Sequence, residues 1–222
     1  MKWNDGLYVS RLVTRVKARA ALGLETRSVR IGLRRDLSAP WDPPSAKIPI
    51  EVRPLERNDL KLLLAPSKAG DATEYLELSW RQEYVNAHLD RGWVAVDSRT
   101  DAPCYVQWLL GASQNDFIRR LGTFPELGED EALLENAYTA VSHRGLGIMS
   151  AAMARIAERA VGLDARFVLT FVGEDNVASL KGCSRAGFFP YMVHRKVQRL
   201  YGFHEHNSFE LIKPDDRARP PQ

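Results

Sequence analysis

The stretch VSHRGLGIMSAAMARIAERA, residues 141–160, sets two glycines one residue apart, after an arginine and directly before a helical pattern. A glycine turn that opens a helix is an anion site on physical grounds. The first helical N–H groups have no intrahelical acceptor, the helix dipole points its positive end outward, and glycine allows a ligand close to the backbone. Phosphate is the natural guest. The spacing excludes two familiar phosphate loops. A Walker A loop requires Gly-Lys-Ser/Thr, which is missing, and a dinucleotide fingerprint requires a third glycine where Ser150 stands. Asp164, near the distance of a ribose-binding acid, precedes its strand instead of ending it.

The rest of the chain suits one main domain. Its 222 residues are 45% hydrophobic and 27% charged, with both signs present, as in an ordinary globular protein. Two cysteines, Cys104 and Cys183, are too few for a secreted disulfide framework, and the first residues lack a signal-peptide pattern, so a cytoplasmic setting is expected. No run approaches the roughly 20 apolar residues that cross a bilayer. The net charge of +3 conceals an asymmetry. Residues 1–37 hold Lys2, Arg11, Arg15, Lys17, Arg19, Arg27, Arg30, Arg34 and Arg35 against only Asp5, Glu25 and Asp36. A nucleic-acid or anionic-lipid reading therefore rests on this arm alone.

Patterning divides the chain further. Residues 7–22 place Leu12, Val13, Val16 and Ala20 on one helical face and Arg11, Arg15 and Arg19 on another, a basic amphipathic helix that either packs on the body or docks a partner. Pro40, Pro43, Pro44 and Pro49 make 38–47 a linker, with the body expected from residue 48. A strand from 48 turns at Pro54 into a helix capped by Asn58 or Asp59, and a second helical segment within 69–92 ends near Gly92. GWVAVDS and CYVQWLLGA read as strands, 112–130 as a loop, RFVLTFV as a strand, NVASLKGCSRAGF as a short helix, and YMVHRKVQRLYGF and SFELI as two more strands. The segment 131–141 suits helix or strand by periodicity alone, and 213–222 reads as a disordered tail.

The glycine stretch resembles the acyl-CoA loop of the GNAT superfamily of N-acyltransferases, whose motif runs Gln/Arg-x-x-Gly-x-Gly/Ala. Arg144 and Gly147 match it, whereas Met149 stands at its last, small position. Asn176 and Ser179, followed by Gly187 and Phe188, look like the family's second CoA-side motif, and IEVRPLERNDL is similar to its opening strand and helix. The resemblance covers roughly 48–212. It implies an α/β (α+β) fold whose central mixed, mostly antiparallel sheet splays between the family's strands 4 and 5, with helices on both faces. It also implies that 131–141 is strand 4.

By the same resemblance, acetyl-CoA is the co-substrate, with no metal, and its acetyl group passes to a primary amine on a small molecule or peptide by direct attack. Pantetheine would pair with Tyr138, Thr139, Ala140 and Val141. Arg144 and the amides of Gly145, Leu146, Gly147, Ile148 and Met149 would cradle the pyrophosphate, with Asn176 and Ser179 beside it. Glu135 falls where some members carry a general base; otherwise it is an exposed charge. Cys183 occupies the place of the usual thiolate-protonating tyrosine; otherwise it is a small buried hydrophobe. Tyr191 is a substitute donor. The Met149 and Cys183 departures also suit a catalytically altered CoA-binding or sensor module, and the basic arm suits an adaptor for anionic partners. A homodimer is a further expectation for the chain. His204 and His206 read as a polar turn more readily than as metal ligands, and Trp80, Trp93 and Trp108 as core.

Overall fold

The computed structural model describes residues 24–63, 89–201 and 203–213. The amphipathic helix expected over 7–22, most of the helical segment within 69–92 and nearly all of the tail from 213 lie outside them. The described residues build one eight-stranded sheet: β1 (Glu25–Asp36), β2 (Ile50–Pro54), β3 (Gly92–Asp97), β4 (Ala102–Gly111), β5 (Glu131–Thr139), β6 (Phe167–Gly173), β7 (Phe189–Arg199) and β8 (His204–Leu211). Their spatial order is β2-β3-β4-β5-β6-β1-β7-β8. Every pairing is antiparallel except β5 with β6.

Among the described residues four α-helices cover the sheet: α1 (Arg57–Leu63), α2 (Asn115–Leu121), α3 (Ile148–Ala157) and α4 (Val177–Arg185). On one face α3 buries Ala151, Ala152, Ala154 and Ala157 against Leu33, Ala132, Leu134 and Val168. The short alanine side chains let the helix axis approach the strands, so α3 is buried almost all round. Cys183 and Phe188 join this layer from the α4 side. On the other face Leu60, Leu63, Phe117 and Ile118 from α1 and α2 pack on Val94, Trp108, Leu133 and Leu169. The mixed, mostly antiparallel sheet with helices on both faces is the architecture the sequence implied.

Two expectations need correction. The body does not begin at residue 48, because β1 sits inside the sheet, paired with β6 on one side and β7 on the other. Four arginines hide this strand, yet Val29, Ile31 and Leu33 keep the period-2 alternation, and each inward arginine is housed. Arg35 donates to the carbonyls of Ala154 and Ala186 and to Glu158, tying the strand to α3 and to the end of α4. Arg34 lies 4.2 Å over the Phe167 ring and 3.9 Å over Tyr191. The expected linker, 38–47, runs from this strand across the glycine loop: Lys47 N–H donates to Leu146 O, and Trp41 packs on Gly187 while its indole N–H donates to Arg185 O.

The second correction concerns 112–130, which contains α2. Phe117 and Ile118 anchor that helix in the core, and Gly122 ends it in the left-handed region at φ 67°. The Asn115 side chain then exchanges two hydrogen bonds with the Leu127 backbone, both 2.9 Å, and fixes the return to β5.

Because β1 is the sole partner joining β6 to β7, a chain starting at residue 48 should lose cooperative unfolding. Thermal melting followed by circular dichroism checks this; a sharp transition in the truncated chain would contradict it.

Candidate active site

A cavity of about 750 Å³ opens where β5 and β6 part. Their parallel ladder contains three residue pairs, Glu131 with Phe167 through Leu133 with Leu169, and ends there. Just beyond it β5 carries a bulge. Its register against β4 steps from Trp108–Glu135 to Val106–Tyr138, so three steps on β5 face two on β4, and Asn136 takes φ 59°. A bulge bends its strand and turns side chains out of the regular alternation. Here it steers β5 away from β6 and places Glu135, Asn136, Tyr138 and Thr139 on the cavity wall.

One end of the cavity is the glycine loop. Gly145 at φ 77° and Gly147 at φ 74° both need the left-handed region, and Gly147 leads straight into α3. No side chain caps this helix start and its first turn holds no acidic residue, so its outward N–H groups and positive dipole end face the cavity uncompensated. The Pro-rich segment braces the loop from behind: a Cβ added at Gly147 would stand 3.6 Å from Ser45 O. Arg144 is exposed at the rim and donates to Thr139 O at 3.3 Å.

Met149, the departure from the small-residue pattern, does not fill the cradle. Its thioether lies against α4 at Gly182, where an added Cβ would meet Met149 Cε and Sδ at 3.3 Å. Gly182 is thus the accommodating partner, which the loop motif by itself does not reveal. Asn176 is the N-cap of α4, its Oδ1 accepting from Ser179 N–H at 3.1 Å, and both residues line the cavity. Of the residues singled out for cofactor binding, Tyr138, Thr139, Arg144, Gly145, Gly147, Ile148, Met149, Asn176 and Ser179 meet in this one cavity. Ala140, Val141 and Leu146 stand outside its lining. Leu146 faces the core, and Val141 opens a short 3-10 turn with its side chain exposed.

The other end holds the titratable groups. The Glu135 side chain is 16% exposed and faces the Arg30 guanidinium, Nη2 to Oε1 3.4 Å. Burial pushes the Glu135 carboxyl above the ordinary glutamate range, and Arg30 partly offsets the rise. Its Oε2 is buried with no partner, as are Gln107 Nε2 and Asn136 Nδ2. Tyr105, fully buried, donates its hydroxyl to Gln107 Oε1 at 2.6 Å, and burial raises its phenol well above the usual value. Arg30 arrives from β1, and no feature of the sequence connected it to Glu135 105 positions away.

Cys183 lies on the cavity floor but is wholly buried, and its thiol is pushed up to about 12. A proton passing from it to a thiolate of ordinary pKa, about 8.5, would move uphill. Its surroundings match the packing role. Tyr191 stacks under Arg34 and is not among the cavity-lining residues. His204 and His206 lie on exposed β8, where Glu205 between them pairs with Lys196. Among the described residues no group of three or more His, Cys, Asp or Glu could hold a metal, and no helix is long and apolar enough to cross a membrane.

Comparison with known proteins bears on the fold and the family. No curated protein matches the chain. Solved structures share its fold. A Drosophila protein aligns at 16% identity over 86% of this chain and 58% of its own, with a TM-score of 0.51. A GNAT-family acetyltransferase from Colwellia psychrerythraea aligns at 13% identity over 84% and 57%, with a TM-score of 0.50. A GCN5-related glucosamine N-acetyltransferase region of a fungal multi-domain β-N-acetylglucosaminidase aligns at 18% identity over 81% and 22%, with a TM-score of 0.56. The chain therefore spans less than two thirds of the length of each. The profile of the Acetyltransferase (GNAT) family matches residues 70–188, more than half of the sequence, and the chain belongs to that family.

Proposed function

We propose that the protein is an acetyl-CoA-dependent N-acyltransferase acting on a primary amine. The observation that carries this reading is the uncapped start of α3, behind two left-handed glycines, opening into the same cavity as a buried glutamate of raised pKa. A glycine cradle with open N–H groups fits a pyrophosphate, and the cleft between diverging strands fits an extended pantetheine arm. Acyl-CoA would supply a thioester carbonyl that a free amine attacks directly, forming the C–N bond as the C–S bond breaks.

The chain's own groups do the rest. The amides of residues 147–149 and the Arg144 guanidinium hold the pyrophosphate, while Asn176 and Ser179 border its path. Glu135 takes the proton from the incoming ammonium, for which a raised carboxyl pKa is suited because the donor and acceptor values move closer together. Burial of the catalytic end restricts water and strengthens these interactions. Orientation of the amine against the carbonyl supplies much of the remaining acceleration. Cys183 packs the floor instead of donating a proton. That elevated thiol also favours a second reading, a protein that binds acyl-CoA without turnover; CoA release across an amine panel separates the two.

Titration calorimetry should show saturable acetyl-CoA binding, and an absence of both heat and thermal shift would overturn the proposal. Arg144→Ala should weaken that binding about tenfold through loss of a charge-assisted hydrogen bond. Gly182→Val should also weaken it, because the added branches displace Met149 toward the cradle; unchanged affinity with a displaced melting temperature would confine Gly182 to packing.

Glu135 must be ionised to act, so kcat/KM should rise with pH through its pKa, above the ordinary value of about 4.3. Glu135→Gln should lower kcat about 100-fold and remove that rising limb, leaving the amine's own ionisation. An unaltered pH profile in the variant would show that another group accepts the proton.

A further inference from the structure

We infer that the acceptor is a free amino acid or close analogue: a primary amine bearing its own carboxylate one or two carbons away, with the amine on Glu135 and the carboxylate on Arg30. This deepens the acyltransferase reading and rests on it.

Arg30 lines the far end of the cavity, 24% exposed along its side chain, with its guanidinium carbon 5.0 Å from the Phe124 ring centre and 5.5 Å from that of Phe171. The two rings hold the planar cation in place, which suits it to recognise a planar anion. Among the described residues only Nη2 is engaged, and both of its contacts are long: 3.4 Å to Glu135 Oε1 and 3.2 Å to the Phe171 carbonyl. Nε and Nη1 bond no described residue. The Glu135 carboxylate lines the same cavity, and its Oε2 has no hydrogen-bond partner among the described residues. Among the described residues the site thus offers an open donor edge on Arg30 beside the Glu135 carboxylate, the two joined by one long ion pair.

Charge decides what completes it. A simple alkylammonium on Glu135 would share that carboxylate with Arg30 and would bring a second cation against the guanidinium in a poorly solvated space. A ligand that also carries a carboxylate turns this repulsion into an alternating set, carboxylate on guanidinium and ammonium on carboxylate. The spacing of the pair asks for the two ligand charges to be close, as in an α- or β-amino acid. A phosphate dianion fits less well, since a single arginine would have to offset two charges beside Glu135.

The test uses the intact protein. Acetyl-CoA binding is first measured by calorimetry, and CoA thiol release is then followed with glycine, β-alanine and glutamate, their carboxamide counterparts, ethylamine and O-phosphoethanolamine. Binding of the same compounds to the CoA-saturated protein gives a second readout. The expected result is a kcat/KM, or affinity, at least tenfold higher for a carboxylate than for its amide, with phosphoethanolamine below the carboxylates. In Arg30→Gln that ratio should fall toward one, and Arg30→Lys, which keeps the charge but loses the planar fork, should lie between. Equal use of acids and amides by the unmodified protein, a preference for phosphoethanolamine, or a ratio that survives Arg30→Gln in a folded variant would overturn the inference. So would acetyl-CoA binding with no compound bound or acetylated, whereas failure of acetyl-CoA to bind would refute the underlying acyltransferase reading first.

Discussion

Three residue pairs join β5 to β6, and the site depends on how short that junction is. Parallel strands normally continue their ladder, since each pair abandoned leaves backbone groups to be satisfied elsewhere. Here the bulge at Asn136 turns β5 aside while β6 remains committed to β1 along seven residue pairs. The strands are thus pulled apart from both sides. The opening falls at the start of α3, so the separation, the uncapped helix end and the half-buried Glu135 share one cavity.

That arrangement places unusual demands on β1. The strand must hold β6 and β7 together while carrying arginines into the interior, a combination that would be costly with unpaired charges. The structure answers each in turn. Arg35 spends its donors on carbonyls of α3 and of the residue following α4 and on Glu158, although its Nε stays unpartnered. Arg34 lies between two aromatic rings. Arg30 differs, because its ionic partner among the described residues is Glu135, a wall residue of the cavity, held at 3.4 Å. Gly32 between them is compelled by space: a Cβ there would collide with Met192 Cγ and approach Phe171 Cε1 at 2.9 Å. The same glycine therefore allows Phe171 to stand where it can flank Arg30.

Much of this was legible from local pattern. The strands β3, β4, β6 and β7 and helices α3 and α4 follow their apolar periods and caps, and the loop at 144–149 is readable because its glycines answer to a backbone requirement confined to a few residues. Strand 131–139 needed context, since Ala and Leu serve helix and strand alike. What escaped were features whose cause is distant in sequence. The charge of β1 conceals its alternation, because the partners that make buried arginine tolerable lie 119 to 151 positions away for Arg35. The helix α2 escaped for a different reason: only two of its residues are buried, and the Asn115–Leu127 clamp that closes its loop resembles ordinary polar turn composition.

The Met149–Gly182 contact shows why a motif departure is better judged with its neighbour than alone. A long side chain at the second residue of a helix behind a glycine turn could enter the cradle or turn away, and loop sequence does not distinguish them. The absence of a side chain on the facing turn of α4 does, because it leaves a slot for a flexible thioether that water would fill poorly. The slot has a consequence for the floor of the site. Drawing Met149 toward Gly182 packs α3 and α4 together directly beside Cys183, which helps to exclude water from that thiol and keeps it protonated. The two departures from the family pattern are in this sense one adjustment: filling the α3–α4 interface with methionine favours a small buried residue at 183.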